Sequence, residues 1–184
     1  MADKKAILVI TDGMKLTDSG EVMDKLRKKA AILSDADTAG LPDKAVALGG
    51  VQSDMANLAA TLEKNVLAVT KGKVEAVDAA LEAANRRTVV VVAADDGVAF
   101  YGMGINGKAG SIPRKVNADD IALTIATLVD LPIGEDCTAG IIYQVLKDPN
   151  LKLNEIIKLQ EALARMESVI ERNNREPWDK HDCA

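Results

Sequence analysis

Asp12 directly follows the apolar run "AILVIT" at residues 6–11, and Asp95 and Asp96 follow the later run "TVVVVAA" in the same manner. With both runs as parallel strands, these carboxylates project from the carboxyl edge of the sheet, where ligands of open α/β sheets gather. Three carboxylates there repel one another unless a cation or shared protons compensate, and an all-oxygen set suits a hard ion such as Mg²⁺ or Mn²⁺. The same spacing also fits Asp12 and Asp95 as turn caps, with Asp96 facing solvent. Ser53, in "GGVQSDMANLA", opens a predicted helix. Backbone N–H groups at a helix start welcome phosphate, and a nearby divalent cation lowers a hydroxyl pKa towards that of a nucleophile. A serine in that place also serves simply as an N-cap.

Residues 102–107, "GMGING", spell the glycine pattern of a dinucleotide loop. That fingerprint requires its first glycine directly after a strand and a helix opening on its last. Here Asp95 to Tyr101 intervene, and "KAGSIP" follows with a proline where helix should run. The string therefore reads as a turn or hairpin, and NAD is not expected.

The elements that must hold these residues follow from hydrophobic spacing. The first run, 6–11, and the second, 88–94, are short, continuous and apolar, as buried parallel strands are. Between them, Val22, Met23, Leu26, Ala30 and Leu33 recur at helical spacing with Ser19 as N-cap, which predicts a helix over 19–33. An irregular loop follows through 35–50. Two further helices are predicted, "SDMANLAATLEKN" from Ser53 or Asp54, and "KVEAVDAALEAANRR", whose closing arginines suit a helix C-terminus. Another starts at Asn117, with Asp120 as its capping partner, and is broken by Leu131 and Pro132. Strands alternating with helices imply an α/β fold, a mostly parallel sheet flanked by helices as a three-layer sandwich.

Towards the end, Ile156, Leu159, Leu163, Met166 and Ile170 alternate spacings of three and four, a short heptad seam. Such a helix either packs on its own domain or forms a homo-oligomer. The domain plan is thus a core at 1–150, a C-terminal helix at 151–175 and a tail at 176–184.

Composition narrows the partners. The chain has 184 residues, 2% aromatic, and a net charge of −5, so neither a basic footprint nor stacking platforms for nucleic acid are present. No stretch approaches the length of a membrane span, and the apolar run near the start is interrupted by Asp12. Cys137 and Cys183 stand far apart in no metal or disulfide pattern, which suits a cytoplasmic protein with reduced thiols.

Several of these stretches also carry a family resemblance. "AILVITDGM", "VMDKLRKKA" and "SDMANLA" resemble the opening of the archaeal-type cofactor-independent phosphoglycerate mutases. "VDAALEAANRRTVVVVAADDG" and "DIALTIATLVDLPIGEDCTAG" are similar to the closing part of the wider alkaline phosphatase superfamily. The resemblance implies an alkaline phosphatase-like core that holds two divalent metals and transfers a phosphoryl group. It implies Ser53 as nucleophile, Asp12 and Asp95 as metal ligands, and Asn57 beside the phosphate of a phosphorylated small molecule. The family's "DHG" histidine is Asp96 here, and a later glycine-flanked histidine corresponds to Met103 in "GMG". The chain's one histidine is His181, and only residues 54–88 stand where the family inserts its substrate cap. Two expectations follow. One is a reduced metal-dependent phosphotransferase or phosphatase, with Asp12, Asp95 and Asp96 holding Mg²⁺ or Mn²⁺. The other is a non-catalytic relative acting in binding, assembly or regulation.

Overall fold

The computed structural model describes residues 3–173. The chain divides at Lys147/Asp148 into two units. His181 and Cys183, together with the tail from 176 onward, lie outside the described residues.

The first unit is built on a seven-stranded sheet in the order β3-β4-β1-β5-β6-β2-β7. Its strands are β1 (Lys5–Thr11), β2 (Ala30–Ala36), β3 (Val51–Gln52), β4 (Leu67–Gly72), β5 (Thr88–Ala94), β6 (Gly97–Gly102) and β7 (Gly110–Val116). All pairings are parallel except the two made by β6, so only that strand runs against the others and the sheet is mixed. The helices are α1 (Glu21–Lys29), α2 (Leu41–Ala47), α3 (Leu58–Lys64), α4 (Val74–Ala83) and α5 (Ala118–Leu128).

Both faces of the sheet are covered. One core joins Leu41 of α2 and Ile121 and Ile125 of α5 to Leu8, Val91 and Phe100. The other joins Met23 of α1, Leu58 of α3 and Val77 of α4 to Ile7, Val9 and Val92. Successive residues of β1 and β5 therefore point into different cores, which explains why these strands are apolar without alternation. Every residue of β5 is buried.

Several elements differ from the spacing-based expectation. The first helix stops at Lys29 rather than Leu33, and Ala30 to Leu33 begin β2. "AAIL" satisfies helical and strand spacing alike. Pairing with β6, at Ala30↔Tyr101 through Leu33↔Val98, decides in favour of strand, and it is wholly non-local. The cationic Arg27, Lys28 and Lys29 then fall in the last turn, where the helix dipole favours them. Gly20 rather than Ser19 occupies the N-cap. The expected loop at 35–50 contains α2, entered through Gly40 with Pro42 in its first turn. "SDMANLAATLEKN" is a 3₁₀ turn, Met55–Asn57, followed by α3. Helix α4 closes at Ala83, so Arg86 and Arg87 lie in the loop before β5 instead of a last helical turn. Strands β4 and β7 arise where no element was predicted.

Other expectations match. Asn117 caps α5 by accepting the Asp120 N–H at 2.9 Å. The glycine string forms turns at residues 103–104 and 107–108 between β6 and β7, while the β5–β6 hairpin itself, paired up to Ala94↔Gly97, turns at Asp95 and Asp96. Gly102 ends β6 at φ +99, and the residues after Gly107 lead into strand β7, not helix.

The second unit contains α6 (Leu151–Asn173). Ile156, Leu159, Leu163, Met166 and Ile170 are between 51% and 71% exposed. Among the described residues, no helix is long and apolar enough to cross a membrane.

Candidate functional site

The carboxyl edge of the sheet carries the candidate residues because β1, β3 and β5 all end there. The register of β1 and β5 pairs Ile10 with Ala93. Asp12 and Asp95 each follow the last residue of one of these adjacent strands, so both stand at that edge. Both are exposed.

Asp96 behaves differently. One carboxylate oxygen accepts the Leu16 N–H at 2.6 Å, and the other accepts the Thr17 N–H at 3.2 Å and the Thr17 hydroxyl at 2.9 Å. Half-burial disfavours its charge, but the hydrogen bonds from Leu16 and Thr17 outweigh that and hold its pKa below the ordinary carboxylate value. The expectation that Asp96 faces solvent as a free turn residue does not describe it, because its side chain turns back onto the loop after β1. That loop is fastened elsewhere too. The Asp95 N–H donates to the Met14 carbonyl at 3.0 Å, and the Thr11 hydroxyl donates to the Ala93 carbonyl at 2.9 Å. Arg27 donates to the carbonyls of Leu16 and Asp18 and pairs with Asp24. The segment bearing Asp12 is thereby fixed to the β5–β6 turn at both ends.

Ser53 lies at the end of β3, the edge strand, with β4 between it and β1. Its N–H donates to the Val69 carbonyl. Combining the β3–β4 and β4–β1 registers sets Ser53 level with Thr70 and Val9, three residues short of Asp12. Backbone separation is therefore about 10 Å across the sheet and about 10 Å along it. The Ser53 hydroxyl bonds the Thr61 hydroxyl at 2.9 Å and lies 3.1 Å from the Asp54 carbonyl. It does not cap a helix, since the 3₁₀ turn starts after Asp54 and no side chain caps it. Asn57 is exposed at the end of that turn. The fold thus groups the three aspartates around the β1 and β5 ends and leaves Ser53 and Asn57 on the flank.

Among the described residues, no three histidine, cysteine, aspartate or glutamate side chains form a group able to hold a metal ion. The oxygens of Asp96 already accept three donors, which leaves Asp12 and Asp95 as the adjoining carboxylates with free faces. That donor set does not fit the two-metal centre implied by the family resemblance, which needs imidazoles as well as oxygens.

Sequence reasoning overlooked Thr17 and Thr61, the partners of Asp96 and Ser53. Thr17 is 79 residues from Asp96 and carries no local signal. Thr61 is eight residues from Ser53, a spacing that only the fold of the 3₁₀ turn into α3 makes close. Compared with protein-family models, curated proteins and solved structures, the chain has no match.

Proposed function

We propose that this protein is a non-catalytic relative of the alkaline phosphatase-superfamily metalloenzymes, resembling the archaeal-type phosphoglycerate mutases in its opening motifs. In this reading it keeps the α/β scaffold for binding and assembly. The observation that supports this most directly is Asp96. At the position of the family's metal-binding histidine stands a carboxylate whose oxygens brace the β1–α1 loop through Leu16 and Thr17. A group held this way contributes to folding, and drawing it to a metal would strip three donors of their acceptor. The bond of the Ser53 hydroxyl to Thr61 supports the same reading. The test is hydrolysis of an aryl phosphate by purified protein with Mg²⁺ or Mn²⁺. Turnover at the level of buffer is expected, and metal-dependent turnover that Ser53→Ala abolishes would refute the proposal.

One observation favours a second reading, a reduced metal-dependent phosphotransferase acting on a phosphorylated small molecule. Asp12 and Asp95 follow the ends of the adjacent strands β1 and β5 at the carboxyl edge, where a single divalent ion would draw on both carboxylates. An ion bound only by the native state raises stability, so a melting shift with Mn²⁺ that disappears in Asp12→Asn supports this reading over the first.

The assembly part of the proposal concerns α6. Within this helix of 23 residues the heptad seam runs from Ile156 to Ile170, about 22 Å, with each seam residue at least half exposed. A 3.5-residue period suits a second helix of the same kind, so a homo-oligomer through α6 is the expected form. Light scattering on the full chain should give a multiple of 19.5 kDa. Leu163→Glu should reduce it to that mass, and a wild type that is already monomeric would refute this assembly.

A further inference from the structure

The glycine string rejected as a dinucleotide loop lines a cavity at the other end of the sheet. Tyr101 and Gly102 close β6, which runs against its neighbours, so they lie at the amino edge of the parallel strands. Lys28 and Lys29 reach the same edge from the last turn of α1, just before β2 begins. Together with Asn106, Gly107, Lys108 and Lys147 they surround a cavity of about 630 Å³. That volume falls within the range of small-molecule sites.

Backbone contacts bring the four lysines together. At Gly107 a Cβ would stand 2.9 Å from the Lys29 carbonyl oxygen, so only glycine lets this loop lie against the end of α1 and seat Lys108 near Lys28 and Lys29. Across the cavity the Lys147 N–H donates to the Gly104 carbonyl at 2.9 Å, and the Asn106 N–H donates to the Val145 carbonyl at 2.8 Å. These bonds fix the backbone of Lys147 against the glycine string.

The charge is one-sided. None of the described residues lining the cavity is acidic. Lys28, Lys29, Lys108 and Lys147 have no ion-pair partner among the described residues, although the chain carries 28 aspartates and glutamates against 23 lysines and arginines. Lys28 and Lys29 also border an adjoining cleft that holds Asp78, Glu82 and Lys25, the last paired to Glu21, whereas Lys108 and Lys147 do not line it. Four unpaired ammonium groups around one concavity repel each other until an anion enters, and ammonium groups act as point charges for phosphate.

We propose that this cavity binds a small soluble polyanion bearing two or more linked phosphate groups, held by Lys28, Lys29, Lys108 and Lys147 with the glycine loop close to its backbone. The site goes beyond the function proposed above, because it lies at the opposite edge of the sheet from Asp12, Ser53 and Asp95. Tripolyphosphate is the probe, titrated by calorimetry into the full-length protein at matched ionic strength, with orthophosphate for comparison. Saturable binding is expected for tripolyphosphate, with orthophosphate weaker. Lys28→Gln combined with Lys108→Gln should weaken it about tenfold, as expected when two partly exposed charge contacts are lost. Lys64→Gln combined with Lys71→Gln removes equal charge elsewhere in the same unit and should leave it unchanged. Amide shifts in the wild type should centre on Asn106 and Gly107. No saturable binding, equal weakening in both double variants, or shifts confined to the carboxyl edge would each overturn the proposal.

Discussion

Replacing Asp96 by alanine tests whether the residue at the histidine position is structural. The substitution removes the acceptor for the Leu16 N–H, the Thr17 N–H and the Thr17 hydroxyl. Leu16 is 2% exposed, so its donor loses a partner that water replaces poorly. An unmet buried donor costs about 1–3 kcal/mol. Thr17 is exposed, so water recovers most of its bonds, and its two donors add about 0.5 kcal/mol between them. The expected loss is about 1.5–3.5 kcal/mol at pH 7, a fall in Tm of about 3–14 °C for a domain of this size. Asp96→Asn keeps one acceptor oxygen and should lose about 1 kcal/mol. The pH dependence has a definite sign. Because the folded-state pKa of Asp96 lies below its ordinary value of 3.8, its contribution is fully present above that value and is lost as pH falls through the folded pKa. The gap between wild type and Asp96→Asn, measured by urea unfolding, should therefore be constant from pH 7 to about 5 and narrow towards pH 2.5. A loss below about 0.5 kcal/mol for the alanine variant at pH 7 would refute the bracing role. So would a gap that does not change with pH.

Gly97→Ala should destabilise strongly, since its φ is +148 and a Cβ would stand 2.2 Å from the Leu33 carbonyl oxygen; a drop of about 3 kcal/mol or more in chemical unfolding is expected. Thr124 is fully buried, donates to the Asp120 carbonyl at 2.7 Å and accepts the Ile142 N–H at 3.0 Å. Thr124→Val leaves that N–H unmet and should cost about 1–3 kcal/mol, whereas Thr124→Ser should keep most of it. The Thr70 hydroxyl is buried without a partner among the described residues, so Thr70→Val should raise Tm or leave it unchanged, and a loss above about 1 kcal/mol would show that the hydroxyl is used.

Local pattern made the central elements legible. "AILVIT" and "TVVVVAA" read as buried strands of a sheet covered on both faces, and Asn117 with Asp120 marks a helix start, because a cap is a contact between residues three apart. The α/β class and the placing of Asp12 and Asp95 at strand ends follow from the same local information. What was not legible depends on partners distant in the chain. Residues 30–33 suit helix and strand equally until β6 pairs with them, and β7 exists as a strand because β2 offers it an edge. The turn chemistry of "GMGING" was readable, but the lysines it faces come from α1 and from Lys147.

The division is sharpest at the two residues on which the proposed function rests. The amino-acid order alone determined that an aspartate stands where the resembling family has histidine, and that a serine precedes α3. Only the tertiary structure decided what each does, since the Asp96 acceptors meet donors 79 and 80 residues away and the Ser53 hydroxyl meets Thr61. A side chain's type sets which bonds it can make, and the three-dimensional fold sets which of them are within reach.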